Sequence, residues 1–146
     1  METCGIALIE HREYGSTEEM LGRMRIDEVF TREEQIRSGR GSSLQHWAGR
    51  LAAKQAVLRL IGVPTTASWM QQAQVLPAPT RNCEANHKCM HGHPPSVVFG
   101  PELELAAVLV GIRGAEVSIT HTERTAMAIA LAVTGDRSAS HDRPQS

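Results

Sequence analysis

Residues 125–133 constrain this chain more than any other stretch, because they alternate with a strict period of two. Met127, Ile129, Leu131 and Val133 fall on one face, and Ala126, Ala128, Ala130 and Ala132 on the other. Period two is the signature of an extended strand whose successive side chains point to opposite sides. A face made only of methyl groups lets a helix or a second subunit approach closely. The fold must therefore supply something flat and closely packed to cover it.

Residues 44–61 form the most regular segment and read as a long helix, with Ser42 or Ser43 as its cap and Gly62 and Pro64 marking its end. One face carries Ala48, Leu51, Ala52, Gln55 and Arg59, small and apolar at first and polar at the end. His46, Arg50 and Lys54 recur every four residues on a neighbouring face. Such a stripe is ordinarily a solvated edge, and becomes an anion site only where something brings a phosphate to it.

The remaining elements alternate in type. Residues 4–10 read as a strand with Gly5, Ala7 and Ile9 on one face. Ser16-Thr17-Glu18-Glu19 starts a helix expected to run to residue 27 or 28, and Thr31-Arg32-Glu33-Glu34 is a second capping box. Residues 72–76 and 97–99 read as short strands, 102–110 as a helix closed by Gly111, and 116–120 as a strand. That strand turns through Thr122-Glu123-Arg124 into 125–133. The class is α+β, a small antiparallel sheet packed on a long helix. One domain spans 1–134, with an irregular insertion at 77–95, and a polar tail at 135–146 is expected to be disordered.

Composition narrows the function classes. Aromatic residues are only 3% of the 146, so Leu, Ile, Val, Met and Ala must build the core. A net charge of −1 gives no electrostatic basis for nucleic-acid or membrane binding. No apolar run approaches the roughly 20 residues of a bilayer span, and the N-terminus lacks the features of a signal peptide. Three cysteines make no disulfide framework, so a reduced, cytoplasmic protein is expected. Cys83, His87, Cys89, His91 and His93 crowd potential zinc ligands together. Their spacing matches no common zinc knuckle, and incidental ligands in a flexible insertion are the favoured account.

Four blocks, in order, resemble the holo-acyl-carrier-protein synthase family of 4′-phosphopantetheinyl transferases. They are Gly5-Ile6-Ala7-Leu8-Ile9-Glu10, Phe30-Thr31-Arg32-Glu33-Glu34, Ala48-Gly49-Arg50-Leu51-Ala52-Ala53-Lys54-Gln55-Ala56 and Val117-Ser118-Ile119-Thr120-His121-Thr122, the last followed by the Ala-rich strand. The resemblance implies a homotrimer with sites at subunit boundaries, coenzyme A and Mg²⁺ as ligands, and an acyl or peptidyl carrier protein as partner. In the family a serine hydroxyl attacks a pyrophosphate phosphorus while Mg²⁺ neutralises the developing charge. By the resemblance, Arg50, Lys54, Arg59 and Thr122 would hold the phosphates, and His121 would serve as acid/base or phosphate donor.

The chain departs from the family where the metal should bind. The family's strand Asp is read as Ala7, and the Glu of its Ala-Ala-Lys-Glu motif is Gln55. Groups that greet an anion remain, while carboxylates that hold a hard cation are gone. Losing a Lewis acid removes several kcal/mol of transition-state stabilisation, a rate deficit on the order of 10³ or worse. With the metal lost, Glu10 becomes the nearest carboxylate for proton transfer, and Gln55 a candidate replacement. The family's basic first helix is also altered: residues 18–28 hold Arg23 and Arg25 against Glu18, Glu19, Asp27 and Glu28, which weakens or redirects carrier-protein docking.

Three functions follow from this pattern. The first is metal-independent acid/base chemistry on a coenzyme A or carrier-tethered thioester of a polyketide, peptide or fatty-acid type pathway. The second is a weak but genuine phosphopantetheinyl transferase. The third is a non-catalytic carrier-protein-binding scaffold.

Overall fold

The alanine face of the last strand is covered by the long helix, as its flatness requires. The structure, a computed structural model, describes residues 4–38, 43–77 and 95–134. Strand β1 (Cys4–Ile9) and a 3-10 turn (His11–Glu13) lead into three short helices, α1 (Thr17–Leu21), α2 (Ile26–Val29) and α3 (Arg32–Ser38). The long helix α4 (Leu44–Ile61) and α5 (Ala67–Gln72) follow. Strands β2 (Ala73–Pro77) and β3 (Pro95–Phe99), helix α6 (Pro101–Leu109) and strands β4 (Ile112–His121) and β5 (Ala126–Thr134) complete the order.

Strands β1, β5 and β4 form an antiparallel sheet in that order, and β2 pairs with β3 in a second, two-stranded sheet. In the larger sheet Ala7 faces Ala128 and Ile9 faces Ala126, so small side chains meet across the register. Helix α4 packs against all three strands. Ala126, Ala128 and Ala130 are wholly buried beneath it, as are Ala48, Ala52 and Ala56 of the helix. The closest approach is at Gly5, where a Cβ would collide with the Ala56 carbonyl oxygen and lie 2.7 Å from the Leu60 amide nitrogen. Glycine is required there for lack of room.

Helix α4 is apolar nearly all round because it is covered on its other sides as well. It packs on α1, α5 and β2, and Trp47, Val57 and Leu58 are buried with the residues facing the sheet. Phe30 meets Trp47 edge-on, with ring centroids 4.7 Å apart. The helix begins where Ser43 Oγ accepts the His46 amide and ends at Gly62, whose φ of 95° is left-handed.

Several expectations change. The single helix over residues 16–28 is two helices, because Gly22 (φ 67°) closes α1 through its N–H to Glu19 and Arg25 is extended. Residues 67–72 form α5. Gln72 ends this helix instead of opening a strand, and its Oε1 accepts the Glu102 and Leu103 amides at the start of α6. The insertion begins and ends side by side, since Pro77 and Pro95 are register partners within β2 and β3. Residues 78–94, with the Cys83, His87, Cys89, His91 and His93 cluster, and the tail at 135–146 lie outside the described residues.

Candidate functional site

The β4–β5 turn sets the chemistry at one end of the sheet. The Thr122 amide donates to the Thr125 carbonyl, and Thr122 Oγ1 accepts the Arg124 and Thr125 amides, each at 3.1 Å. The Thr122 carbonyl accepts Gln45 Nε2 at 2.6 Å and buried His11 Nε2 at 3.1 Å. Helix α4 and the 3-10 turn therefore both clamp this corner. With Oγ1 engaged as an acceptor, the Thr122 hydroxyl proton is what remains for a ligand.

His121 is exposed and lies over the start of α4. A Cβ placed at Gly49 would stand 3.1 Å from Ile119 Cγ2 and 3.9 Å from His121 Cδ2, so Gly49 lets the end of β4 settle against the helix. One turn earlier on α4, His46 places Nε2 2.9 Å from Ser38 Oγ and packs edge-on to Trp47. Burial holds the His46 imidazole below its ordinary value, and the neighbouring charges of Arg50 and His121 push the same way.

Arg50 is half-buried and makes no hydrogen bond or ion pair among the described residues. Burial lowers its affinity for its proton, while the Glu34 carboxylate nearby opposes that effect. A guanidinium with its donors unengaged and its charge partly desolvated is an unfinished arrangement, which an anion would complete.

Lys54 behaves differently from its place in the stripe. It is 0% exposed, so the solvated edge expected for His46, Arg50 and Lys54 does not extend to it. Its ammonium donates to the Met70 and Ala73 carbonyls at 2.8 and 2.9 Å and pairs with Glu34 Oε1 at 2.8 Å. Glu34 in turn accepts the Thr31 and Val75 amides at 2.7 and 2.6 Å. All three ammonium protons are spent inside the protein, which leaves Lys54 holding α3, α4, α5 and β2 together and not available to phosphate in this arrangement.

Arg59 stands nine residues beyond Arg50, about 13 Å along the helix. Exposed at the far end of the sheet, it donates from Nη1 to the Ile6 carbonyl at 2.8 Å. Gln55, between them, is half-buried and makes no hydrogen bond among the described residues. On β1, Ala7 is mid-strand and 1% exposed. Ile9 is the residue of the same face nearest the His121 end, because it pairs with Ala126, which also pairs with His121.

Glu10 lines a separate cleft of about 360 Å³ with Arg12, Glu13, Arg124 and Thr125. A hydrogen bond shared with Glu10 raises the Glu13 carboxyl above its ordinary value, and the negative charge of Glu10 adds to the effect. His121 does not line this cleft. One chain thus brings together His121, Thr122 and Arg50 near the start of α4, and leaves Glu10, Arg59 and Lys54 apart from them. Sequence reasoning placed His46 in the stripe with Arg50 and Lys54 without giving it a role of its own, and it missed Gln45, His11 and Glu13.

No protein-family model and no curated protein matches the chain. Solved structures do. The holo-acyl-carrier-protein synthase of Neisseria meningitidis superposes with a TM-score of 0.68 at 18% identity, covering 92% of this chain and 100% of that one. This chain has the holo-acyl-carrier-protein synthase fold. The Helicobacter pylori synthase in complex with coenzyme A gives a TM-score of 0.63 at 16% identity over 89% of this chain and 99% of its own. The synthase–coenzyme A complex of Chronobacterium ammoniagenes gives 0.63 at 23% over 92% and 98%. Against the synthase fold, the described residues include no group of three or more His, Cys, Asp or Glu able to hold a metal ion, and no helix long and apolar enough to cross a membrane.

Proposed function

We propose that this chain binds coenzyme A or a carrier-tethered phosphopantetheinyl thioester and performs metal-independent acid/base chemistry on it, in a polyketide, peptide or fatty-acid type pathway. The observation that carries this reading is Arg50, a half-buried cation with no hydrogen bond or ion pair among the described residues, on a helix face where the positions matching the family's metal ligands are apolar or neutral. Mg²⁺ takes hard, charged oxygens in near-octahedral array. Ala7 offers none, Gln55 offers one neutral carbonyl, and Glu10 lines a different cleft. This donor set does not fit a dedicated Mg²⁺ site, so no step is routed through the metal.

Binding falls to the groups that remain. Arg50 and the Thr122 hydroxyl take phosphate oxygens, Arg59 contributes from the far end of the helix, and His121 moves the proton. Glu10 and Gln55 act only if a second subunit closes the distance between the clefts. A homotrimer supports that closure: Ile6, Leu8 and Leu131 are each about half exposed on the sheet face away from α4, with Ile129 and Met127 beside them. Exposed Glu18, Glu19, Asp27 and Glu28 on α1 and α2 favour carrier-protein docking altered from that of a basic helix. A cytoplasmic setting accords with the three thiols.

The test incubates the protein with coenzyme A, Mg²⁺ and several apo carrier proteins and reads the pantetheine mass increment. Absence of transfer, together with coenzyme A binding that survives EDTA and weakens in Arg50→Ala, is the expected result. Transfer at ordinary rates would replace this reading with genuine phosphopantetheinyl transfer. Ala7→Asp with Gln55→Glu should confer Mg²⁺-dependent transfer where the rest of the site is intact. Binding without turnover of any thioester would leave a scaffold.

A further inference from the structure

The start of α4 gathers more titratable groups than phosphate binding alone requires. His46 and His121 flank Gly49 on the helix surface, the first from α4 itself and the second from the end of β4. Arg50 lies one turn beyond His46, and Glu34 of α3 faces Arg50 from behind. Ser38 at the end of α3 holds the His46 ring at Nε2, and Trp47 supports it edge-on. The ring is thus fixed by α3 and α4 beside two cationic or titratable neighbours.

We propose that His46 and Arg50, with His121, form a single proton-linked anion subsite, in which a phosphate group binding at Arg50 brings a proton onto His46. This deepens the phosphopantetheinyl reading and rests on it for the identity of the ligand. In the free protein, burial and the positive fields of Arg50 and His121 favour the neutral form of His46. An anion seated on Arg50 cancels that field and replaces it with a negative one, so the imidazolium becomes the favoured form. The proton comes from solvent and remains on the ring while the anion is bound. No bond to the ligand is made or broken. By reciprocity, protonating His46 tightens the anion by the same factor.

The sign follows from which state holds more protons. The bound state holds the additional proton between the free and bound midpoints of His46, so affinity rises as pH falls through that window, by at most about tenfold per unit. The subsite would thereby prefer phosphate when acidified, and would present a protonated imidazole to the ligand it holds. Glu34 stays paired with Lys54 and does not compensate Arg50 fully, which is why an external anion is needed.

Sulfate is the appropriate probe, because its charge does not change over this pH range. The His46 ring resonance, assigned by its loss in His46→Gln, is titrated by NMR with and without saturating sulfate. The expected result is an upward movement of the His46 midpoint by about half to one unit, with the movement absent in Arg50→Gln. A midpoint that sulfate leaves unmoved, or that moves equally in Arg50→Gln, overturns the proposal. Coenzyme A binding is measured in parallel. Sulfate-linked protonation without coenzyme A binding would overturn the pantetheine reading and leave the proton-linked subsite standing.

Discussion

Glu34 Oε1 lies 2.8 Å from Lys54 Nζ, and the two side chains are respectively 3% and 0% exposed. All three ammonium protons and both carboxylate oxygens of this pair are engaged, with Thr31 and Val75 on one side and Met70 and Ala73 on the other. A complete buried network costs most when half of it is removed. Lys54→Met should therefore lower unfolding free energy by about 3–5 kcal/mol, since it strands a buried carboxylate. Glu34→Gln combined with Lys54→Met should recover part of that loss. Chemical denaturation of the three proteins checks this, and a double variant worse than Lys54→Met would refute the paired account.

The same pair sets a pH dependence. Burial pulls the Lys54 ammonium down to about 8, with Glu34 opposing the fall. The unfolded chain, with an ordinary lysine near 10.5, binds more protons between those values, so this group makes stability increase as pH rises from about 8 towards 10.5. Denaturation midpoints of the wild type minus those of the double variant should rise across that window and be flat below it. A difference that falls with rising pH would mean the ammonium is favoured in the folded state.

Gly5→Ala should be among the most disruptive small substitutions. Its Cβ would strike the backbone of α4 at Ala56 and Leu60, where no side chain can move aside. Overpacking of this kind costs roughly 1–3 kcal/mol or more. Thermal unfolding should show a loss far beyond that of Gly15→Ala, whose nearest atom is the end of the flexible Glu19 side chain.

The exposed sheet face offers a test of assembly. Ile6→Glu or Leu131→Glu, each at a position about half exposed in the single chain, should lower the oligomeric mass measured by light scattering. Circular dichroism should stay that of the folded chain. A mass unchanged by both substitutions would place any subunit contact elsewhere.

The long helix and the alanine strand were legible because their patterns are local. Ser43, Gly62 and the period of two mark α4 and β5 without reference to anything distant. The Thr31 and Glu34 capping box was legible too, since Thr31 Oγ1 accepts the Glu34 amide and Glu34 accepts the Thr31 amide. What escaped was the second role of Glu34. A glutamate at a helix start reads as exposed until α4 and β2 close over it, and that closure also converts Lys54 from a surface cation into an internal fastener. Gly22, by contrast, was a readable stop within 16–28 that the charge pattern obscured.

Arg59 donates to the carbonyl of Ile6 along the outermost strand of the three-stranded sheet. A strand border left bare recruits neighbours by backbone pairing, the route to swapped dimers and fibrils. Parking a guanidinium on that border discourages lateral growth through backbone pairing.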